Sequence, residues 1–266
     1  MKTIFITGAS SGIGKETAKY FANKGWRVIA TMRNPDKADE LADMENVVVM
    51  PLDLTNSAQI RETCAKALEQ YDVDVLFNNA GYAVIAPLEF IPEEHIRKQF
   101  DTNVVGMILV TQQFIPHFKA RKAGTILTTT SFAGIIALPR DCVYGAVKRA
   151  QHGVIESLYY ELKPFGVSVK ALIPNGTKTN FKVELGTMTG YEQPAKNQFK
   201  FLLDGDEAFP GPREAAETAW IAVNDGKDRL DYPADHICKR LYDKWASMGK
   251  EEYKNYFYDR VFLEKE

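Results

Sequence analysis

Tyr144 and Lys148 lie four residues apart in the run Tyr144-Gly145-Ala146-Val147-Lys148. On a helix that spacing puts both side chains on one face, a turn apart. A free phenol, with a pKa of about 10, is a weak acid at neutral pH. A nearby ammonium favours the phenolate and lowers that value. Such a pair is suited to passing a proton to and from an oxygen atom. The competing reading is an incidental surface pair. A second group of residues points to phosphate. Thr7-Gly8-Ala9-Ser10-Ser11-Gly12-Ile13-Gly14-Lys15 joins an apolar run to a helical pattern. Glycine allows a tight turn and a close approach of ligand to backbone. The free N–H groups and dipole of the helix that follows attract anions. A glycine cluster alone marks only a turn. One that ends a strand and opens a helix has the context a phosphate site requires.

The elements that must position these groups alternate along the chain. Strand candidates are Thr3–Thr7, Arg27–Thr31, Val47–Met50, Val73–Phe77, Thr125–Thr130 and Val167–Ile173. Several are apolar on successive residues, as strands covered on both faces are. Helical patterns fall between them at Ile13–Asn23, Asn56–Gln70, Glu93–Lys119 and Val143–Lys163, with Asn56 or Thr55 as a cap and Gly25 as a stop. From Gly176 to Pro212 the alternation lapses, and so long a connection is usually functional, often a lid. The pattern resumes with a helix at Arg213–Asn224, a short strand near Leu230–Tyr232 and a helix from about Asp235. This order predicts an α/β fold: a doubly wound parallel sheet of the Rossmann type, in three α/β/α layers. The 266 residues fit a single domain, with a substrate-covering loop at about 176–210. Ligands of such sheets bind at the carboxyl ends of the strands, near the switch in strand order.

Composition narrows the function. A formal net charge of −2 and the lack of any basic stripe argue against nucleic acid. No run reaches the roughly 18 apolar residues of a membrane span, and the chain enters a strand too soon for a signal-type segment. Three cysteines, Cys64, Cys142 and Cys238, form no C-x-x-C pair. They read as reduced thiols in a cytoplasmic setting with no metal site. Cys142 lies near the proposed site and reads either as a reactive thiol or as a small buried residue.

Taken together, these motifs resemble the classical short-chain dehydrogenase/reductase family. The resemblance runs from Lys2 to about Asn180. It rests on the T-G-x-x-x-G-x-G turn, on Asn78-Asn79-Ala80-Gly81 after the fourth strand, on Asn103, on Ser131 after the fifth strand, and on Tyr144-x-x-x-Lys148. It implies a nicotinamide dinucleotide cofactor, which carries the hydride, while the protein supplies a proton at the same carbonyl. In the family pattern Tyr144 is the general acid/base and Ser131 orients the substrate oxygen. Lys148 also bonds the nicotinamide ribose, and Asn103 kinks its helix and holds a water. The implied cofactor residues are Gly8, Ser10, Ser11, Gly12, Ile13, Gly14, Arg33, Asp53, Leu54, Asn79, Ala80, Gly81, Tyr144, Lys148, Pro174, Thr177 and Thr179.

The choice of dinucleotide turns on the second strand's end. An acid there would hold a ribose 2′-OH, whereas this chain has Met32 followed by Arg33, whose fork suits a 2′-phosphate. NADP(H) is therefore favoured over NAD(H). Asp53 resembles the residue that holds the adenine amino group; capping the next helix is its other reading. One departure is Pro174-Asn175-Gly176, where the family usually has Pro-Gly. Substrate walls are expected at Tyr82–Pro87, Phe132–Arg140 and Gly176–Pro210, offering Val84, Ile85, Ile135, Leu138, Phe181, Tyr191 and Phe199. They suit an apolar carbonyl/alcohol substrate. The Ala30-Thr31-Met32-Arg33 strand end resembles the branch with 17β-hydroxysteroid and retinol dehydrogenases. Family members pair through the two long helices, which implies a homodimer or homotetramer. The aromatic tail Tyr253–Phe262 covers a pocket mouth or interface, or is buried against its own domain. Alternatives to an oxidoreductase on free carbonyls are a cofactor-sensing binding protein and a 3-oxoacyl-carrier reductase.

Overall fold

The first strand, β1 (Thr3–Thr7), is buried along its whole length. The computed structural model describes residues 1–179, 183–186 and 189–263. After β1 come α1 (Gly12–Asn23), β2 (Arg27–Met32), β3 (Val47–Pro51), α2 (Ser57–Gln70) and β4 (Val75–Asn78). Then follow β5 (Ala83–Ile85), α3 (Glu93–Phe100), α4 (Gly106–Arg121), β6 (Gly124–Thr129), α5 (Phe132–Ile135), α6 (Cys142–Leu162) and β7 (Val167–Ile173). The C-terminal part holds β8 (Val183–Leu185), α7 (Glu192–Leu203), α8 (Pro212–Asn224), β9 (Asp231–Pro233), α9 (His236–Met248) and α10 (Lys250–Tyr258).

Seven parallel strands pair in the order β3-β2-β1-β4-β6-β7-β9. The chain winds outward from β1 to β3, then returns to the other side of β1 with β4. The strand order therefore switches between β1 and β4, where sheets of this kind open a crevice. One face of the sheet packs on α1 and α8 through Ala18, Phe21, Ala215, Ala219 and Ala222. The other packs on α2, α4 and α6 through Ile60, Cys64, Phe114, Phe118 and Ile155. This is the expected three-layer α/β/α fold in a single domain. The sheet's two rims are short: β3 has five residues and ends at Pro51, and β9 has three and ends at Pro233.

Asn56 caps α2 as expected, accepting from Ala58 N and Gln59 N at 3.1 Å. β4 begins at Val75 rather than Val73. The Val73 carbonyl is taken by Arg121 Nη1 at 2.6 Å and by the His117 ring at 2.9 Å, so it leaves the ladder. The single helix expected over Glu93–Lys119 is broken by a π-turn at Asp101–Val105, where Gly106 N–H reaches back to the Asp101 carbonyl. The break occurs because Asn103 turns its amide onto a neighbouring backbone, as set out below. Gly106 then lies against Leu54; a Cβ there would meet Leu54 O at 2.5 Å.

The connection after Gly176 is more regular than its composition implied. β8 pairs in parallel with β5, and α7 fills Glu192–Leu203. Asn175 holds a negative φ, so its turn needs no left-handed residue, and its Nδ2 donates to the Leu202 carbonyl at 2.7 Å. The tail is buried against its own domain on one face. Tyr253, Phe257 and Val261 join the core, and the Phe257 ring centre lies 4.9 Å from that of Phe201.

Candidate active site

The glycine turn packs directly on the end of β4. Thr7 Oγ1 accepts from Asn79 N at 2.9 Å and from Ala80 N at 3.0 Å. Asn79 Nδ2 donates to the Thr7 and Gly8 carbonyls, and its Oδ1 accepts from Thr129 Oγ1 at 3.2 Å. These bonds tie β1, β4 and β6 at their carboxyl ends. Gly8 takes φ +70°, and a Cβ there would lie 2.7 Å from Ala80 Cα. The turn therefore admits no side chain, and its backbone stays open to a ligand.

Above it lies a cleft of about 550 Å³. It is lined by Gly8, Ser10, Ser11, Gly12, Ile13, Arg33, Asp53, Leu54, Asn79, Ala80, Gly81, Tyr144, Lys148, Pro174, Thr177 and Thr179, all expected there. Gly14 is the exception. It lies beneath the turn, where a Cβ would meet Gly8 O and Asn79 Nδ2 at 2.4 Å. Met32 and Arg33 both line the cleft; Met32 is buried and Arg33 exposed. Asp53 Oδ1 accepts from Thr55 N and Oγ1 at 2.9 and 2.8 Å, so it braces its own loop while facing the cleft. Thr177 Oγ1 is buried without a hydrogen-bond partner among the described residues, a polar atom left for a ligand.

Tyr144 hydrogen-bonds Ser131. Ser131 also caps α5, accepting from Ala133 N at 3.2 Å. Lys148 lies on the same face of α6 as Tyr144, its Nζ 5.7 Å from the ring centre, and it donates to the Thr129 carbonyl at 3.0 Å. The electrostatics differ from the expectation. Burial pushes the Tyr144 hydroxyl above its ordinary value; the Ser131 bond works against this, and the Asp141 carboxylate adds to it. Burial also brings Lys148 down to about 7. The ammonium thus loses charge to the same enclosure that holds the phenol protonated.

Asn103 is wholly buried and does not line the cleft. Its Nδ2 donates to the Tyr82 carbonyl at 2.9 Å, and its Oδ1 accepts from Tyr82 N at 3.1 Å. The Asn103 carbonyl accepts from Gln151 Nε2 at 2.5 Å. Sequence reasoning missed Gln151. Its signal was a polar residue on a buried helix stripe with Val147, Lys148 and Ile155. Gln151 Oε1 is buried with no partner among the described residues.

The expected substrate walls are only partly assembled. Val84 packs with Tyr82, Ala86, Ile91 and Val143, and Leu138 joins the main core. Phe199 is 56% exposed, so it faces outward rather than lining a pocket. Tyr191 donates to Glu89 Oε1 at 3.1 Å, and Phe181 lies outside the described residues. Cys142 is exposed, unlike the buried Cys64 and Cys238, because it opens α6 at the surface.

Asp141, which precedes α6, is buried, and its Oδ1 has no hydrogen-bond partner among the described residues. Burial raises its carboxyl to about 7, against the pull of Arg140. The folded carboxyl keeps its proton up to about pH 7 and the unfolded one only to about 3.8. Folding takes up a proton between those values, so stability falls as pH rises through them. Lys148 acts oppositely between about pH 7 and 10.5. Asp141→Asn is expected to raise Tm by about 2–6 °C at pH 8 and by little at pH 4. Thermal melts at the two pH values check this; an equal shift at both would dismiss the buried charge as the cause.

Comparison with known proteins identifies the family and the fold. The short chain dehydrogenase family model matches residues 2–190. An uncharacterized oxidoreductase of Schizosaccharomyces pombe is 36% identical over 206 residues, covering 76% of this chain and 87% of the relative. A short-chain dehydrogenase from Streptomyces avermitilis superposes with a TM-score of 0.80 at 27% identity, over 92% of this chain and 94% of that one. The 3-ketoacyl-(acyl-carrier-protein) reductase of Brucella melitensis, solved with NADH, gives a TM-score of 0.74 at 27% identity, over 86% and 96%. The fold and site define a Rossmann-type oxidoreductase. The chain belongs to the short-chain dehydrogenase/reductase family, whose members act on CH–OH groups.

Proposed function

We propose that the protein is an NADP(H)-dependent oxidoreductase interconverting a carbonyl and an alcohol on an apolar small molecule. The observation that carries the reading is Tyr144 bonded to Ser131, with Lys148 on the same helix face, at the edge of the glycine-floored cleft. The cleft residues fit a dinucleotide. There is no room for a Cβ at Gly8, a helix N-terminus lies behind the turn, and the Thr177 hydroxyl is left over. Gly8, Ser10, Ser11, Gly12 and Ile13 would hold the diphosphate. Asp53 and Leu54 would hold the adenine, and Pro174, Thr177 and Thr179 the nicotinamide end.

When bound, the cofactor supplies or accepts a hydride at the substrate carbon. Ser131 holds the substrate oxygen beside Tyr144. Tyr144 gives that oxygen its proton during reduction and takes it back during oxidation. Its hydroxyl is held above the ordinary value, so it begins as a donor. Lys148, near neutrality, can replace that proton from its own. Asn103, fixed to Tyr82, sets the shape of the helix behind Lys148 rather than touching the reacting atoms. The segment at about 176–210, stitched to β5 through β8, would cover the substrate. We place the protein in the cytoplasm as a homodimer or homotetramer, in the branch with 17β-hydroxysteroid and retinol dehydrogenases. Among the described residues no helix is long and apolar enough to cross a membrane.

Coenzyme choice rests on Arg33, which lines the cleft and has no carboxylate partner among the described residues. A charge-assisted bond to a 2′-phosphate contributes about 1.5–3 kcal/mol. Arg33→Ala is expected to weaken NADPH by about 10- to 100-fold and NADH by less than about 3-fold. Fluorescence titration with both dinucleotides tests this, and equal losses would remove the 2′-phosphate argument. An NADPH-coupled absorbance screen of ketones and aldehydes graded by size and polarity tests the reaction itself. A dinucleotide-binding protein with no turnover across that screen would be a sensor.

A further inference from the structure

Lys98 has no place in the family pattern set out above, yet it lines the nucleotide cleft. Among the described residues the cleft's titratable lining comprises Arg33, Asp53, Tyr82, Lys98, Tyr144 and Lys148, so the fixed charge they carry is mostly positive. Lys148 is spent on the Thr129 carbonyl and is drawn towards neutrality by burial. Among the described residues that leaves Arg33 and Lys98 as its exposed cations. The neighbouring Arg97 is paired with Glu93 at 2.7 Å, but Lys98 has no carboxylate partner among the described residues. Its ammonium lies 5.7 Å from the centre of the Tyr82 ring.

The fold says which part of a dinucleotide such a cation would meet. α1 belongs to the helical layer shared with α8, whereas the π-turn that follows α3 packs with α4 and α6 in the other layer. Lys98 therefore approaches the cleft from the wall opposite the glycine turn. Ala80 packs on Gly8, so the segment Asn79–Tyr82 borders that turn directly. Lys98, beside the Tyr82 ring, lines the same cleft as that turn. Arg33 stands elsewhere, at the end of β2 on the far side of β1. Of the expected substrate walls Tyr82 lines this space, whereas Val84, Ile135 and Leu138 do not. With the glycine turn and the Asn79–Tyr82 segment lining the same space, the position of Lys98 favours the nucleotide over an anionic substrate.

We infer that Lys98 is the cation that holds the dinucleotide diphosphate down onto the glycine turn from the opposite wall. The inference rests on the dinucleotide reading proposed above. A diphosphate is common to NADPH and NADH, so the contact adds affinity without discriminating between them. It complements the backbone N–H donors of the turn, which supply direction, with a mobile point charge. Being exposed, it is screened by salt.

Binding of NADPH and NADH by intrinsic fluorescence, with 2′-AMP as a competitor lacking the diphosphate, separates the outcomes. Lys98→Gln is expected to weaken both dinucleotides by the same factor, about 3- to 10-fold at low salt. The loss should shrink as ionic strength rises, 2′-AMP binding should be unchanged, and Lys98→Arg should restore most of the affinity. Unaltered affinity for both dinucleotides overturns the inference. Weakening of NADPH alone also overturns it, by moving Lys98 to the 2′-phosphate, and so does an equal loss for 2′-AMP, by moving it to the adenosine. Failure of the parent protein to bind either dinucleotide overturns both this inference and the reading beneath it, whereas parent binding with an indifferent Lys98→Gln removes this inference alone.

Discussion

Tyr144→Phe is expected to lower kcat by about 10³-fold while leaving the Kd for NADPH within about 2-fold of the parent. The substitution removes one oxygen and keeps the ring. Lys148 keeps its bond to the Thr129 carbonyl, and Ser131 keeps its cap on α5, so neither the helix nor the cleft wall has cause to move. On the proposed mechanism, what disappears is the proton at the substrate oxygen. Without it the hydride step must build an alkoxide with no acid beside it. Steady-state turnover on the best substrate from the carbonyl screen, alongside dinucleotide titration, reads both quantities. Turnover within about tenfold of the parent would assign the proton to another group, and a matching loss of NADPH affinity would make Tyr144 a binding residue instead.

Gly14→Ala has the second large expected effect, and it works through packing. A Cβ at this position would lie 2.4 Å from both the Gly8 carbonyl oxygen and Asn79 Nδ2. Neither is the loose end of a side chain. One is backbone of the glycine turn, and the other is an amide already held by Thr7 and Thr129. Overpacking of this kind costs about 1–3 kcal/mol in stability. Relief of the clash also displaces the turn that phosphates would contact. Both NADPH and NADH are expected to bind at least about 30-fold more weakly, with Tm lower by several degrees. A folded variant that binds both dinucleotides like the parent would show that the turn tolerates movement and would weaken the phosphate assignment.

The site was legible where its logic is local. Glycines at fixed offsets after a strand, and a phenol four residues from an amine, can be read without knowing what packs on them. The strands of the central sheet were legible for a similar reason, since burial on both faces leaves continuous apolar runs. The features that escaped depend on partners distant in sequence. The π-turn at Asp101–Val105 exists because Asn103 bonds the backbone of Tyr82, 21 residues earlier; the helical period does not announce it, and what pointed to it was the family resemblance, which implied a kink at Asn103. Gln151 looks like any polar residue until the Asn103 carbonyl is seen opposite it. α7 was hidden because its buried position is Gln198, its first turn carries Pro194 and its large apolar residues, Phe199, Phe201, Leu202 and Leu203, crowd into its last turns. The exposure of Cys142 and the outward turn of Phe199 are matters of tertiary placement. The charge balance expected at Tyr144 failed for the same reason: enclosure, which spacing does not encode, outweighs the neighbouring amine.

The short rims of the sheet also bear on how molecules of this protein can meet. An unpaired strand is a template on which another chain can continue the hydrogen-bonded ladder, and long bare rims invite fibrous growth. Here one rim stops after five residues at Pro51 and the other after three at Pro233, and an imide nitrogen has no hydrogen to donate. Neither margin can nucleate much cross-molecular ladder. Contacts between copies at high concentration are thereby directed to the helical flanks, where side chains rather than main chain set the geometry and assembly can close instead of propagating.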